Sequence, residues 1–337
     1  MSPTTWRPTP TTRPTPGRAT RTDVTVGEPT DPGRGPSETS HPGPSETPRP
    51  ALPGDEPPTP GAADPLRDGE LVILGRIPTA SNATLVCDAV LDGAEVRCVY
   101  KPVRGEVPLW DFPDGTLAGR EVASYLISEA LGWQVIPTTV FRDGPLGRGM
   151  VQRWVLTADN DDPDTRHEAA SELPTPKVDL VDLCPADTVP VGYRPILRAL
   201  DAMGEAVVLV HADDPRLQRM AVLDVILNNA DRKGGHVLEG LDGGVYGVDH
   251  GICLHSDDKL RTVLWGWAGE NIPGHLVAGL AELADHLASS DHPLTEELAE
   301  HITEFEVLAL AERSAELATR ATMPHPPGHR PIPWPPF

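Results

Sequence analysis

Positive charge is what this chain lacks most. Its 337 residues carry 28 lysines and arginines against 50 aspartates and glutamates, a formal net charge of -22 and a pI near 4.8. Phosphate backbones are bound chiefly by cations that displace counterions, and no run of cations is present, so nucleic acid is not an expected partner. The same deficit argues against attachment to anionic lipid through a basic patch. Long apolar runs are also missing. None approaches the roughly 20 residues that cross a bilayer, so no transmembrane segment is expected. The first residues lack the apolar core of a secretory signal. Cysteine is sparse: Cys87, Cys98, Cys184 and Cys253 show neither CxxC spacing nor a dense framework. Cys87 and Cys98 could face each other across a hairpin, but reduced thiols and a cytoplasmic location are the expectation.

Proline is abundant and unevenly placed. Of 39 prolines, 17 fall in residues 1–65 and 7 in residues 321–337. Residues 1–68 hold almost no aliphatic side chains, and Gly35-Pro-Ser-Glu-Thr39 recurs as Gly43-Pro-Ser-Glu-Thr47. Such a segment buries too little apolar area to offset its ordering entropy and is expected to be disordered. The proline-rich segment 321–337 is expected to be a second tail of the same kind, with Trp334 and Phe337 as its only candidates for docking.

Between the tails the periodicity predicts an α+β fold. Strands are expected over 70–77, 83–90 and 95–101, with Asp92-Gly93 as the turn of a hairpin. A helix over 118–131 follows, with apolar residues at three- and four-residue spacing and Gly132 as its stop. Two further strands, 138–142 and 150–155, flank a turn at 143–147. The acidic stretch 159–172 reads as a surface loop. Apolar runs at 178–183 and 206–211 are expected to pair. The second half is otherwise mainly helical: a helix over 215–229 with Leu217, Met220, Ala221, Leu223 and Leu227 buried, a short hairpin over 237–248, then helices over 274–289 and 295–321.

The segment of greatest chemical interest runs from Asp224 to Leu238, where charged and amide side chains crowd the end of an apolar helix. Eighteen residues after Asp231 the hairpin delivers Asp249. Two carboxylates brought together in this way can divide the work of phosphoryl transfer, one orienting or deprotonating the acceptor hydroxyl and the other holding a metal.

Asn229-Ala-Asp231-Arg232, His236 and then Asp249-His250-Gly251 resemble the catalytic loop and metal-binding motif of the phosphatidylinositol 3-/4-kinase superfamily. The HipA-type serine kinases show a similar pattern. Lys101 at the end of a strand and Glu121 in the following helix resemble that superfamily's phosphate-contacting lysine and its acidic partner. The chain also resembles a bacterial family, found mainly in high-GC Gram-positive organisms, that carries the same distant kinase similarity. The resemblance spans residues 70–269.

It implies a bilobal protein-kinase-like fold, with an N-lobe over 69–155 and a C-lobe over 156–320. ATP would lie between them, with its phosphates near Lys101 and Ser81 and its adenine against the backbone of Gln152–Val155. Asp231, Lys101 and Glu121 would be catalytic. Asp249, His236 and Asn229 would hold Mg or Mn. The acceptor would be a hydroxyl of a protein or small molecule.

Two departures from the pattern stand out: Lys233 replaces a histidine, and His236 replaces the asparagine five residues beyond the aspartate. Imidazole suits softer metals better than Mg. They motivate an alternative, a pseudokinase that binds nucleotide or acts as a scaffold. The turn 77–84 has no GxGxxG, leaving backbone N–H groups and the Ser81 or Thr84 hydroxyl to meet a phosphate. Gly144, Gly147 and Gly149 sit inside a hairpin, His250 and His255 lack partners at zinc spacing, and Trp265 and Trp267 are expected to pack.

Overall fold

The computed structural model of the protein describes residues 64–78, 80–158, 179–200 and 203–337. The expected disordered tail, up to residue 63, and the acidic loop 159–172 lie outside the described residues. Residues 64–68, expected to belong to the tail, are structured. The Asp64 carboxylate caps the one-turn helix α1 (Pro65–Asp68), and Leu66 is buried against the strands that follow.

Those strands form one antiparallel sheet: β1 (Glu70–Arg76), β2 (Leu85–Leu91), β3 (Ala94–Pro102), β4 (Thr139–Gly144) and β5 (Gly147–Arg153), in the order β1-β2-β3-β5-β4. Asp92 and Gly93 both take positive φ, 51° and 84°, as the two-residue turn between β2 and β3 requires. That turn sets Cys87 directly opposite Cys98; both are buried free thiols whose pKa values burial pushes up to about 11 and about 12. The helix α2 (Leu117–Ala130) lays Ala118 and Val122 on Met150 of β5 and ends before Gly132, which takes φ 63°.

The second half holds more sheet than its sequence predicts. β6 (Val181–Pro185), β7 (Tyr193–Leu200) and β8 (Ala206–Ala212) pair antiparallel in the order β6-β8-β7. The β6–β8 pairing is the expected one. β7 is an unpredicted edge strand, half exposed and carrying Pro195 with a register shift beside it, so it lacks an alternating apolar pattern.

The helix α3 (Pro215–Leu227) runs through the largest core, followed by the hairpin β9 (Val237–Glu239) and β10 (Val245–Gly247). After α4 (Gly274–Leu287), the single helix expected over 295–321 is two: α5 (Pro293–Ala299) and α6 (Glu304–Arg320). The break is a capping box, in which Thr303 accepts from the Glu306 N–H and Glu306 reaches back to the Thr303 N–H.

The expected C-terminal tail is not disordered. Met323 is buried in the core, Ile332 packs against it, and Thr262 and Gly234 donate backbone N–H groups to the carbonyls of Pro331 and Pro336. The described residues thus form a mixed α+β fold with antiparallel sheets. Among them no helix is long and apolar enough to cross a membrane.

Candidate functional site

Three polar side chains from distant parts of the chain meet at the end of β3. Lys101 Nζ lies 2.7 Å from Glu121 Oε1 on α2 and 2.7 Å from Asp249 Oδ1 in the segment after β10. Burial disfavours the Lys101 charge, but the two carboxylates more than offset it and hold the ammonium above its usual range. Asp249 is held well below the usual carboxylate range, chiefly by Lys101. Its side chain is half exposed, so it carries the counter-charge at the cleft surface.

Glu121 behaves differently. It is 2 % exposed, its Oε2 has no hydrogen-bond partner, and burial pushes its pKa up to about 7. Its helix is fixed at the start by Glu106, whose carboxylate accepts from the Leu117 and Ala118 N–H groups. The buried Arg120 adds a second anchor, donating to Cys253 O, Asp114 O and Glu306 Oε1 of α6.

The Asp231 loop is built on Asp224, a fully buried carboxylate near the end of α3. It accepts from Asn229 Nδ2 at 2.9 Å, Arg232 Nη2 at 2.9 Å and Thr262 Oγ1 at 3.0 Å. Asn228 takes φ 51° and ends the helix. Asn229 Oδ1 then accepts the Asp231 N–H at 2.9 Å, which fixes the turn that presents Asp231. Arg232, fully buried, joins this loop to the next: Nη1 donates to His236 O and Val248 O, and Nη2 lies 2.6 Å from His250 Nε2. Guanidinium only donates, so His250 accepts at Nε2 and carries its proton on Nδ1. Burial, with Arg232 beside it, keeps that imidazole neutral.

Asp249 has φ 63°, a left-handed conformation that aspartate tolerates better than most residues. His236 Nε2 stands 3.4 Å from Asp249 Oδ2, and burial lowers the imidazole pKa. Asp231 and Lys233 pair at 3.2 Å.

Ser81, Thr84, Lys101, Glu106, Glu121, Asp231, Lys233 and Asp249 line one cleft of about 140 Å³. Of the residues singled out in the sequence, Lys101, Glu121, Asp231, Asp249 and Ser81 therefore share one space, with His236 beside Asp249. Asn229 does not join them as a metal ligand: it is 1 % exposed and spends both ends of its amide on Asp224 and Asp231. Gln152 and Val155 do not line the cleft either. Gln152 is 4 % exposed, its backbone is laddered between β3 and β4, and its Nε2 donates to Thr139 Oγ1.

Asp224 and Glu106 were not singled out by the sequence reading as holding the site together. Asp224 left a signal: it falls at helical spacing between Met220 and Leu227, a charge in the middle of a buried stripe. Glu106 left none.

Among the described residues, no group of three or more His, Cys, Asp and Glu side chains is arranged to hold a metal unaided. Asp249 Oδ2 and His236 Nε2, 3.4 Å apart, are close enough to contact one ion together.

No protein-family model matches the sequence. The chain is 56 % identical over 272 residues to Protein Rv2133c of Mycobacterium tuberculosis (strain ATCC 25618 / H37Rv), a match covering 81 % of this chain and 94 % of that protein. The chain belongs to the family of that protein, whose name states no activity.

Proposed function

We propose that this protein is an atypical ATP-dependent kinase with a bilobal fold of the phosphatidylinositol 3-/4-kinase type, acting on a hydroxyl of a protein or small molecule. The observation that carries the reading is the pairing of Lys101 Nζ with both Glu121 and Asp249 at 2.7 Å, in the cleft that Asp231 also lines.

The cleft charges point to the metal. Four acids, Glu106, Glu121, Asp231 and Asp249, face two lysines, Lys101 and Lys233. A bare polyphosphate entering this space would meet an excess of acids over lysines, and a divalent ion bound with it would offset part of that repulsion. Asp249 and His236 would hold the metal, which when bound neutralises charge on the phosphate oxygens. The imidazole in that pair suits Mn at least as well as Mg.

Lys101, kept protonated, would bind phosphate oxygens, and Glu121 would hold it in position. Asp231 would orient the acceptor hydroxyl and take its proton as the hydroxyl oxygen bonds to the γ-phosphorus. The bond from that phosphorus to the bridging oxygen breaks in the same displacement, and ADP departs. Lys233, 3.2 Å from Asp231, would turn to the transferred phosphoryl group.

One observation favours a second reading, a pseudokinase that binds nucleotide without transfer. At about 140 Å³ the cleft is smaller than pockets that enclose a ligand, roughly 300–1,000 Å³. The Lys101–Asp249 pair spans it where phosphate and metal would sit.

The test is phosphate transfer from γ-labelled ATP by the full chain, with Mn or Mg, to pooled peptides and metabolites. Transfer is expected, and Asp231→Ala should reduce it about 100- to 10,000-fold, as for loss of a general base. Nucleotide-induced thermal stabilisation with no transfer would establish the second reading. Transfer undiminished by either Asp231→Ala or Asp249→Ala would overturn the first.

A further inference from the structure

The loop that presents Asp231 is clasped from outside by the proline-rich segment 331–337. At one end of that segment, Pro331 O accepts from the Thr262 N–H at 3.1 Å and from Trp265 Nε1 at 2.9 Å. At the other, Pro336 O accepts from the Gly234 N–H at 2.8 Å, and the Phe337 ring lies over Gly234. A Cβ on Gly234 would fall 2.3 Å from Phe337 Cε1, so any other residue there would push the ring from its seat. Residue 262 in turn bridges to Arg232 as a parallel partner, and the Thr262 hydroxyl donates to Asp224. The segment therefore touches both the loop and the strip of chain that supports it.

We propose that residues 331–337 form a releasable strap that holds the 231–236 loop in its cleft-facing position. The composition suits a strap. Residues 331, 333, 335 and 336 are prolines, which cannot donate backbone hydrogen bonds and keep φ near one value. The segment thus acts through its carbonyls, and little entropy is lost when it seats.

The anchoring is shallow. Ile332 packs on the core, but Phe337 is 45 % exposed and Trp334 is 81 % exposed. Pro333 is buried beside Ile332, yet a segment whose two aromatic side chains stay largely in solvent opens at lower cost than α3 or α6. Arg232 is held by Asp224 and by backbone bonds to Arg261 and Val263, and His236 by Val248, whereas the Gly234 N–H between them is given to Pro336 of the strap.

The test is amide hydrogen exchange on the full chain, comparing the natural protein with Phe337→Ala. Exchange across residues 231–236 should rise about tenfold or more while α4 is unchanged. A double-mutant cycle on the unfolding midpoint supplies a second reading of the contact. Gly234→Ala should lower the midpoint in the natural chain, and should cost less than half as much when Phe337 is already alanine. Unchanged exchange over 231–236 together with additive midpoints would overturn the strap. Because neither readout involves phosphate transfer, a loosened loop in a protein that transfers nothing would leave the strap standing and remove the kinase reading alone.

Discussion

At the scale of single residues, the site is a case of unequal carboxylates around one amine. Asp249 is half exposed and ionised beside Lys101, whereas Glu121 is buried with one oxygen unpartnered and its pKa pushed up to about 7 by burial. The charge of Lys101 is already answered by Asp249, so a proton on Glu121 leaves no cation bare. A pH dependence follows. Glu121 has an ordinary value of 4.5, so between about 4.5 and about 7 the folded protein retains a proton that the unfolded chain has lost. Its contribution to stability is full below that window and is lost as the pH rises through it. Urea midpoints at pH 5, 6 and 7 should fall for the natural protein relative to Glu121→Gln, which stays neutral throughout. Parallel profiles would show that Glu121 is ionised in the fold. Asp224 and Arg232 are a different matter: both are fully buried, and each leaves an uncompensated charge if the other is removed, a loss of about 3–5 kcal/mol for such pairs.

At the scale of elements, Lys101 is placed by how closely β3 and β5 approach. Gly149 opposes Pro102 in the ladder, and a Cβ there would lie 2.3 Å from Lys101 O, a backbone atom that cannot yield. Gly149→Ala should therefore force the strands apart, lower the unfolding midpoint by several degrees and withdraw Lys101 from Asp249. Gly75→Ala, where a Cβ meets nothing within 4 Å, is the control and should do neither. Thermal unfolding of the two variants separates the effect of position from that of the substitution itself.

Much of this was legible beforehand, because hairpins and amphipathic helices write their own periodicity. The turn at Asp92-Gly93, the strand ending at Lys101 and the buried face of α3 all appear where their patterns put them. β7 did not, since an exposed edge strand has no apolar alternation to read. The break between α5 and α6 was legible in Thr303-Glu-Phe-Glu306, but the apolar repeat on either side masks it. The direction of the Asn229 amide was not legible: motif spacing locates a residue along the chain, but which way an amide points depends on its neighbours, here Asp224 and Asp231.

At the scale of the whole molecule, the cleft is assembled from pieces far apart in sequence. β3 and α2 supply Lys101 and Glu121, the loop after α3 supplies Asp231, and the turn after β10 supplies Asp249. The polar ties between these pieces, Arg120 to Glu306 and Arg232 to His250, are buried, so the convergence is fixed by the fold. The C-terminal segment closes the far side of the loop, which its composition had not suggested. Proline enrichment alone cannot distinguish a solvated tether from a strap that docks through carbonyls.

The most direct test of the convergent site is calorimetric titration of ATP into the full chain, with Mn present and with the metal chelated, for the natural protein and for Asp249→Asn. Binding should require Mn and should weaken about tenfold or more in the variant, since Asp249 is the side chain best placed to hold the ion. Equal affinity in both proteins, or binding indifferent to the metal, would contradict a metal–polyphosphate site at Lys101, Glu121, Asp231 and Asp249.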